Sequence, residues 1–220
     1  ADYNIVNLPL GNTGTQMGGW YRKEINQLSD MSGLKIRISG FAGLVIQRIG
    51  ALPQNIPGTE LYQSLEKGTI DATEWVGPYD DLKLGFHKVA PNYYSPGWWE
   101  PGPAVHFYVN KAEWDKLPKP YQAAFRAASR EAHIQMTAMY DHKNPQALAR
   151  LLSQGVKLQN FSTEIMKKAY DVSRELYAEE AAQNPAWAKI YVEFEKYRKS
   201  QNAWFSVAEA GFDRFMQSVR

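Results

Sequence analysis

The chain has 220 residues, and its 25 basic and 23 acidic side chains are spread along it to give a formal net charge of +2. This distribution offers no one-sided basic patch of the kind that binds a phosphate backbone, so nucleic acid is not an expected partner. A hydrophobic content of 44% argues against disorder, and the absence of cysteine excludes disulfides, thiol catalysis and cysteine zinc sites.

Residues 1–110 contain short apolar runs separated by Gly and Pro, with two short helical patterns between them. The helical patterns are "FAGLVIQRIG" and "GTELYQSLEKG", each closed by a glycine. Six strands are predicted, namely "YNIVNL", "LKIRIS", "ALPQNIP", "TIDATEWV", "NYYSPGWW" and "AVHFYVN". Strands that alternate with helices predict an α/β fold with a parallel or mixed sheet.

Residues 111–183 are mainly helical and are predicted to link the parts of the fold. An amphipathic pattern begins at Pro118, and Pro145 predicts either an end near Lys143 or a kink with continuation through "QALARLLSQG". The strand "VKLQNF" and a further helix follow. Residues 184–220 then predict one long C-terminal helix rich in aromatic residues, which either packs within its own chain or docks onto a partner.

No motif of a known catalytic class is present, so no catalytic residue is assigned and the protein is not expected to be an enzyme. The sequence lacks G-x-S-x-G, H-E-x-x-H, a phosphate-binding loop with its lysine, and a dinucleotide fingerprint. The adjacent Asp80 and Asp81 indicate a solvated turn or the start of a helix.

Four polar residues stand in apolar or aromatic surroundings, namely Gln16, Arg37, Glu74 and Glu100. An arginine inside a strand needs an anion, and a carboxylate suits its planar fork best. Two glutamates beside tryptophans need a cation if they are buried close together. An arginine, two carboxylates and a carboxamide oxygen can together hold a carboxylic acid through a bridging metal ion.

Four segments in order, "GNTGTQMGGWYRKEI", "GLKIRISGFAG", "LPQNIPGTELYQSLEKGTIDATEWVGPYDD" and "YYSPGWWEPGP", resemble the substrate-binding subunit of tripartite ATP-independent periplasmic (TRAP) transporters. Within that family the sequence is most similar to the 2-oxo-acid (pyruvate-type) receptors. The resemblance implies a periplasmic-binding-protein-like α/β fold whose two lobes close over a ligand, a periplasmic location, and delivery of the ligand to the TRAP membrane subunits.

The same resemblance implies the roles of particular residues. Arg37 is expected to clamp the substrate carboxylate. The implied ligands of a bridging metal ion, sodium or calcium, are Gln16, Glu74, the backbone carbonyl of Trp75, and Glu100. The substrate pocket is expected to comprise Arg37, Gln16, Asn12, Trp75 and Trp98. The C-terminal helix resembles the dimer-forming helix of the pyruvate-type branch, which implies a homodimer.

The sequence departs from the family at its start. Family members carry a substantial segment before the equivalent of "ADYNIVNLPL", including a signal peptide and the opening elements of the first lobe. We therefore expect a fragment or truncated product with an incomplete first lobe.

Two other classes of function remain open from the residues alone. Tryptophans mixed with carboxylates also occur in carbohydrate hydrolases, in which Glu74 and Glu100 would be acid and nucleophile. An interaction module would instead use the aromatic C-terminal helix, including Trp204 and Phe212, as its working surface.

Overall fold

The computed structural model describes residues 3–219; residues 1, 2 and 220, at the outer ends of the first and last predicted regions, lie outside the described residues. The strands are β1 (Ile5–Gly11), β2 (Gly19–Tyr21), β3 (Lys35–Arg37), β4 (Leu52–Gln54), β5 (Ala72–Thr73), β6 (Asn92–Ser95), β7 (Val105–Asn110) and β8 (Lys157–Asn160). The helices are α1 (Gly40–Ile49), α2 (Leu61–Glu66), α3 (Pro78–Leu84), α4 (Lys111–Lys116), α5 (Lys119–Ser153), α6 (Thr163–Gln183), α7 (Pro185–Val207) and α8 (Glu209–Ser218). The chain divides into two compact units, Ala1–Ala169 and Tyr170–Arg220.

A mixed sheet of six strands, in the order β4-β3-β5-β2-β6-β8, organises the first unit. β3 pairs in parallel with β4 and β5, and β6 pairs in parallel with β8. β2 was not predicted from the sequence, and it runs antiparallel to both of its neighbours, β5 and β6. Five strands therefore end at the same edge of the sheet, and β2 begins there.

Both faces of this sheet are covered, because successive side chains of a strand point to opposite faces. Tyr21 and Tyr94 belong to one buried cluster, which also contains side chains from α1 and the start of α6. Trp20 and Tyr93 belong to the other, together with side chains from α2 and the end of α5. The rings of Trp20 and Tyr93 are stacked with their centroids 3.9 Å apart.

Asp81 joins these stacked rings to α3. Its carboxylate accepts hydrogen bonds from Trp20 Nε1 at 2.9 Å, from the Tyr93 hydroxyl at 2.7 Å and from the backbone nitrogen of Gly77 at 3.2 Å. Burial raises the pKa of Asp81 to about 7, although these donors favour the charged form. The predicted helix start is present, but Asp81 is 1% exposed and not solvated, because two strands distant in sequence supply its partners.

A second sheet consists of β1 and β7, which pair antiparallel. α5 packs against it, with the rings of Phe107 and Phe125 stacked at 6.2 Å and the Ser129 hydroxyl donating to the backbone oxygen of Pro9. α5 continues through Pro145 to Ser153, so the second of the two predicted alternatives is the one observed. Pro145 removes one backbone hydrogen-bond donor from α5 but does not end the helix.

The second unit contains the later part of α6 together with α7 and α8. Arg174 and Arg198 both pair with Glu195 at 2.7 Å, and the hydrogen bond from Arg198, followed by that from Arg174, lowers the pKa of Glu195 to about 2. Where one long helix was expected, α7 ends at Val207 and α8 begins at Glu209, with Ala208 between them at φ −75° and ψ −102°.

Two loops at the edge of the large sheet, residues 12–16 and 97–102, lie backbone to backbone. The Gln16 nitrogen donates to the Glu100 oxygen at 3.2 Å, and the Gly97 nitrogen donates to the Gln16 oxygen at 2.9 Å. The Thr15 hydroxyl also donates to the Pro101 oxygen at 2.9 Å. A Cβ atom at Gly97 would lie 2.7 Å from the Gln16 oxygen, so the contact requires glycine at this position.

We expect Gly97→Ala to force these two loops apart and to lower the free energy of unfolding by about 1–3 kcal/mol, the usual effect of inserting atoms into a packed region. Urea denaturation measures this change. Gly43→Ala is the matched control, because a Cβ there would meet its nearest neighbour, the Ile38 oxygen, at an ordinary 3.5 Å. Alanine within α1 should leave stability unchanged or raise it by about 0.5–1 kcal/mol. Equal stability of both variants would contradict the packing argument.

Candidate functional site

The sheet topology gathers several predicted site residues at one edge. Arg37 is the last residue of β3, Glu74 directly follows β5, and Glu100 follows β6. These strands are parallel to one another, so their carboxyl ends meet at the same edge. Gln16 lies just before β2, which begins at that edge because it is antiparallel to its neighbours. The fold thus brings residues far apart in sequence to one place.

Arg37 and Glu74 form a largely buried ion pair. The guanidinium Nη1 donates to Glu74 Oε1, and the side chains are only 17% and 13% exposed. The Arg37 Nε also donates to the backbone oxygen of Ile56 at 3.4 Å. The guanidinium carbon lies 5.4 Å from the centre of the Trp75 ring, at cation–π distance. The arginine is therefore held in place by a carboxylate, a carbonyl and an aromatic ring.

The electrostatic environment of Glu74 leaves its negative charge incompletely compensated. Burial is the main cause that raises its pKa to about 7; the Glu100 carboxylate adds to this rise, and Arg37 opposes it. Burial also raises the pKa of Glu100. Two partly desolvated carboxylates that repel each other, with one arginine to compensate them, form a place where an added cation would be stabilised.

Gln16 supplies a neutral oxygen donor to this region. The residue is 6% exposed, and within residues 3–219 its buried Oε1 has no hydrogen-bond partner. A buried amide oxygen without a partner is costly and calls for an explanation such as a bound ion. Because the Gln16 backbone is bonded to Glu100 and Gly97, the position of this residue is coupled to the loop that carries the second carboxylate.

The Trp75 carbonyl lies in a turn that is fixed on both sides. The Met17 nitrogen donates to the Val76 oxygen at 3.2 Å, and the Gly77 nitrogen donates to Asp81. Among the hydrogen bonds of residues 3–219, none is accepted by the Trp75 oxygen. Sequence reasoning missed the role of Asp81 in fixing this turn, and the only local signal was its position in the first turn of α3.

These oxygen donors fit a hard cation. Carboxylate, amide and carbonyl oxygens are the ligands that sodium and calcium take, whereas zinc prefers nitrogen and sulfur. In the described part of the chain, no group of three or more His, Cys, Asp or Glu side chains is arranged to hold a metal ion. A cation here would therefore depend on the neutral oxygens of Gln16 and Trp75 as well as on the two glutamates.

Asn12 and Trp98 are placed differently from the other predicted pocket residues. The Asn12 side-chain oxygen accepts a hydrogen bond from the Gly14 nitrogen at 2.8 Å and so stabilises its own loop. Trp98 packs against the first buried cluster, and its ring lies edge-on to that of Trp99 at 4.9 Å. Both belong to the two loops at the sheet edge, but neither contacts the Arg37–Glu74 pair through a hydrogen bond among the described residues.

Comparison with known proteins finds the same family over most of the chain. Residues 1–184 match the family described as bacterial extracellular solute-binding protein, family 7. A monocarboxylate 2-oxoacid-binding periplasmic protein from Nostoc sp. is 47% identical over 218 residues, which are 99% of this chain and 60% of that protein.

Two crystal structures show the fold class. A TRAP transporter solute-binding protein from Bordetella bronchiseptica, a mixed-occupancy dimer with calcium and picolinate, has 48% identity and a TM-score of 0.95, and the match covers 99% of this chain and 65% of that one. A TRAP periplasmic solute-binding protein from Pseudoalteromonas atlantica with bound sodium and pyruvate has 44% identity and a TM-score of 0.92. That match covers 97% of this chain and 65% of the other. These similarities confirm the predicted α/β, periplasmic-binding-protein-like fold class.

The chain spans less than two thirds of the length of each of these proteins. Among the described residues, no helix is both long enough and apolar enough to cross a membrane.

The family and the similar structures are solute-binding proteins and not enzymes, which removes the support for a carbohydrate hydrolase built on Glu74 and Glu100. The chain belongs to family 7 of the bacterial extracellular solute-binding proteins.

Proposed function

We propose that this chain is the ligand-binding part of a periplasmic TRAP receptor for a small 2-oxo monocarboxylate such as pyruvate. The observation that carries the proposal is the buried Arg37–Glu74 pair at the edge of the sheet, together with the buried, partnerless Gln16 oxygen on the loop that leads into β2 at that edge. The names of the similar proteins, a 2-oxoacid-binding protein and a receptor with sodium and pyruvate, support this class of ligand.

Ligand binding in this proposal is an exchange of partners. Arg37 leaves Glu74 and pairs with the carboxylate of the ligand, for which its planar fork gives two parallel hydrogen bonds. Glu74 then needs another positive charge, because a buried carboxylate that loses its partner is strongly destabilised. Glu74, Glu100, Gln16 Oε1 and the Trp75 carbonyl would hold sodium or calcium, whose positive charge offsets that of the carboxylates and can bridge to oxygens of the ligand.

When a monocarboxylate and sodium enter together, the total charge of the buried site does not change, and with calcium it becomes more positive by one. A carboxylate alone would leave Glu74 without a partner, and a cation alone would add its charge beside the positive charge of Arg37. We therefore infer that the two bind cooperatively. The ring of Trp75 would line one side of the pocket, and the side chains of Asn12 and Trp98 would line it from the two adjacent loops. Delivery would be to the TRAP membrane subunits.

Replacing Arg37 tests the clamp. We expect Arg37→Ala to weaken pyruvate binding about 100-fold or more, and Arg37→Lys to weaken it about tenfold, because lysine keeps the charge but lacks the fork. Calcium affinity measured without pyruvate should not fall in Arg37→Ala, because the positive charge of Arg37 then no longer opposes the cation beside Glu74. Isothermal titration calorimetry measures both.

Arg22→Ala is the control for this test. Arg22 is a half-exposed arginine whose ion pair with Asp71 is long, at 3.9 Å, so both affinities should be unchanged. Wild-type pyruvate affinity in Arg37→Ala would refute the clamp.

We further propose that α7 and α8 form a homodimer interface. Neither helix has a buried residue in the described chain. Their large exposed apolar side chains are Ile190, Val192, Phe194, Tyr197, Trp204, Phe205, Val207, Phe212, Phe215 and Met216. So much apolar surface is typical of an interface between proteins, and one similar structure is described as a dimer.

Light scattering at micromolar concentration should give twice the mass of one chain. Trp204→Glu and Phe212→Glu should each shift this mass to that of a monomer, because a charge would be buried in the interface. Tyr121→Glu is the matched control, since Tyr121 is similarly exposed at 62% but lies on α5. A monomeric wild-type chain, or dissociation by the control variant alone, would contradict this interface.

A further inference from the structure

The groove between α3 and α5 contains a second concentration of charge, separate from the sheet-edge site. A cavity of about 260 Å³ is lined there by Tyr79, Leu82, Lys83, Lys143, Gln146, Ala147 and Arg150. Three of these residues are cations, contributed by both helices. Ala147 is buried and Leu82 half-buried, so the cavity also has an apolar part.

The two lysines are held close together by one aromatic ring. Lys83 Nζ lies 3.5 Å and Lys143 Nζ 4.6 Å from the centre of the Tyr79 ring. Lys143 Nζ also donates to the Tyr79 hydroxyl at 3.0 Å. The hydrogen bonds from Lys143 and Lys83 lower the pKa of Tyr79, as expected for a phenol in a positive environment. Like charges brought to one ring repel each other unless an anion compensates them.

One carboxylate is bonded to this group of cations. Asp80 pairs with Lys83 at 3.3 Å and also accepts a hydrogen bond from the Tyr140 hydroxyl at 2.6 Å. Neither Lys143 nor Arg150 pairs with a carboxylate among residues 3–219. Three cations against one carboxylate leave about two positive charges at the cavity. A phosphate group carries about −1.5 to −2 at pH 7 and would neutralise them, whereas a monocarboxylate would not.

The scaffold of this groove is well fixed. The Asn144 side chain of α5 accepts a hydrogen bond from the Tyr79 nitrogen at 3.1 Å, at the start of α3. Together with the bond from Tyr140 to Asp80, this contact holds the two helices at a constant spacing. The positions of Tyr79, Lys83 and Lys143 are therefore supported by hydrogen bonds and an ion pair that involve both helices.

We propose that the groove between α3 and α5 binds a phosphate group through Lys83, Lys143 and Arg150. Arg150 can present two parallel donors to phosphate oxygens, and the lysines act as point charges. Because the cavity also has an apolar part, formed by Leu82 and Ala147, it has room for the carbon portion of a small phosphate monoester. This site goes beyond the proposed carboxylate receptor and does not require it.

The test is calorimetric titration of the chain in low-salt buffer with two probes, inorganic phosphate and glycerol phosphate. We expect saturable binding with a dissociation constant of about 1 mM or below. Lys143→Gln and Arg150→Gln should each weaken it about tenfold, since each removes charge-assisted hydrogen bonds. Tighter binding of glycerol phosphate than of inorganic phosphate would identify a phosphate ester as the ligand class, and the reverse order would identify the free ion.

Two controls separate this site from general charge and from the sheet edge. Lys88→Gln removes one exposed lysine outside the cavity and should leave phosphate binding unchanged. Arg37→Ala should also leave it unchanged. Unaltered binding in the Lys143 and Arg150 variants, no saturable binding in the wild type, or loss in Arg37→Ala would overturn the proposal. Melting temperatures of all variants show that each is folded.

Discussion

The ion pair between Arg37 and Glu74 is the interaction on which the candidate site depends. Both side chains are largely withdrawn from water, and burial raises the pKa of Glu74 in spite of the arginine. Such a pair contributes little net stability, because the cost of desolvating two charges offsets their attraction. The pair matters because a ligand can replace either partner: a ligand carboxylate can pair with the arginine, and a cation can compensate the charge of the glutamate.

The constraint that creates this pair is the direction of the strands. β3, β5 and β6 run parallel, and β2 runs against them, so three carboxyl ends and one amino end share an edge of the sheet. At this edge Arg37 is aligned with Gln54 of β4 and Thr73 of β5, and the Glu74 nitrogen donates to the Arg37 oxygen at 3.2 Å. The loops beyond the edge are fixed to one another by the bonds between Gln16, Gly97 and Glu100.

Local patterns in the sequence predicted much of the fold and the types of residue in the site, since strands, helix stops and polar residues in aromatic runs are local signals. They did not predict β2, whose three residues follow a glycine-rich loop, or the pairing of Arg37 with Glu74, which depends on β3 lying beside β5. The burial of Asp81 was also missed, because Trp20 and Tyr93 reach it from other strands. Contacts between distant segments are set by topology, which a short pattern does not contain.

In the proposed function, a carboxylate and a cation enter the site together by exchanging partners with Arg37 and Glu74. The most direct measurement is the linkage between them: pyruvate affinity with and without saturating calcium, and calcium affinity with and without saturating pyruvate, in chelator-treated protein. We expect each ligand to increase the affinity of the protein for the other, by the same factor and by at least about tenfold. Pyruvate binding of equal strength with and without calcium or sodium would contradict it.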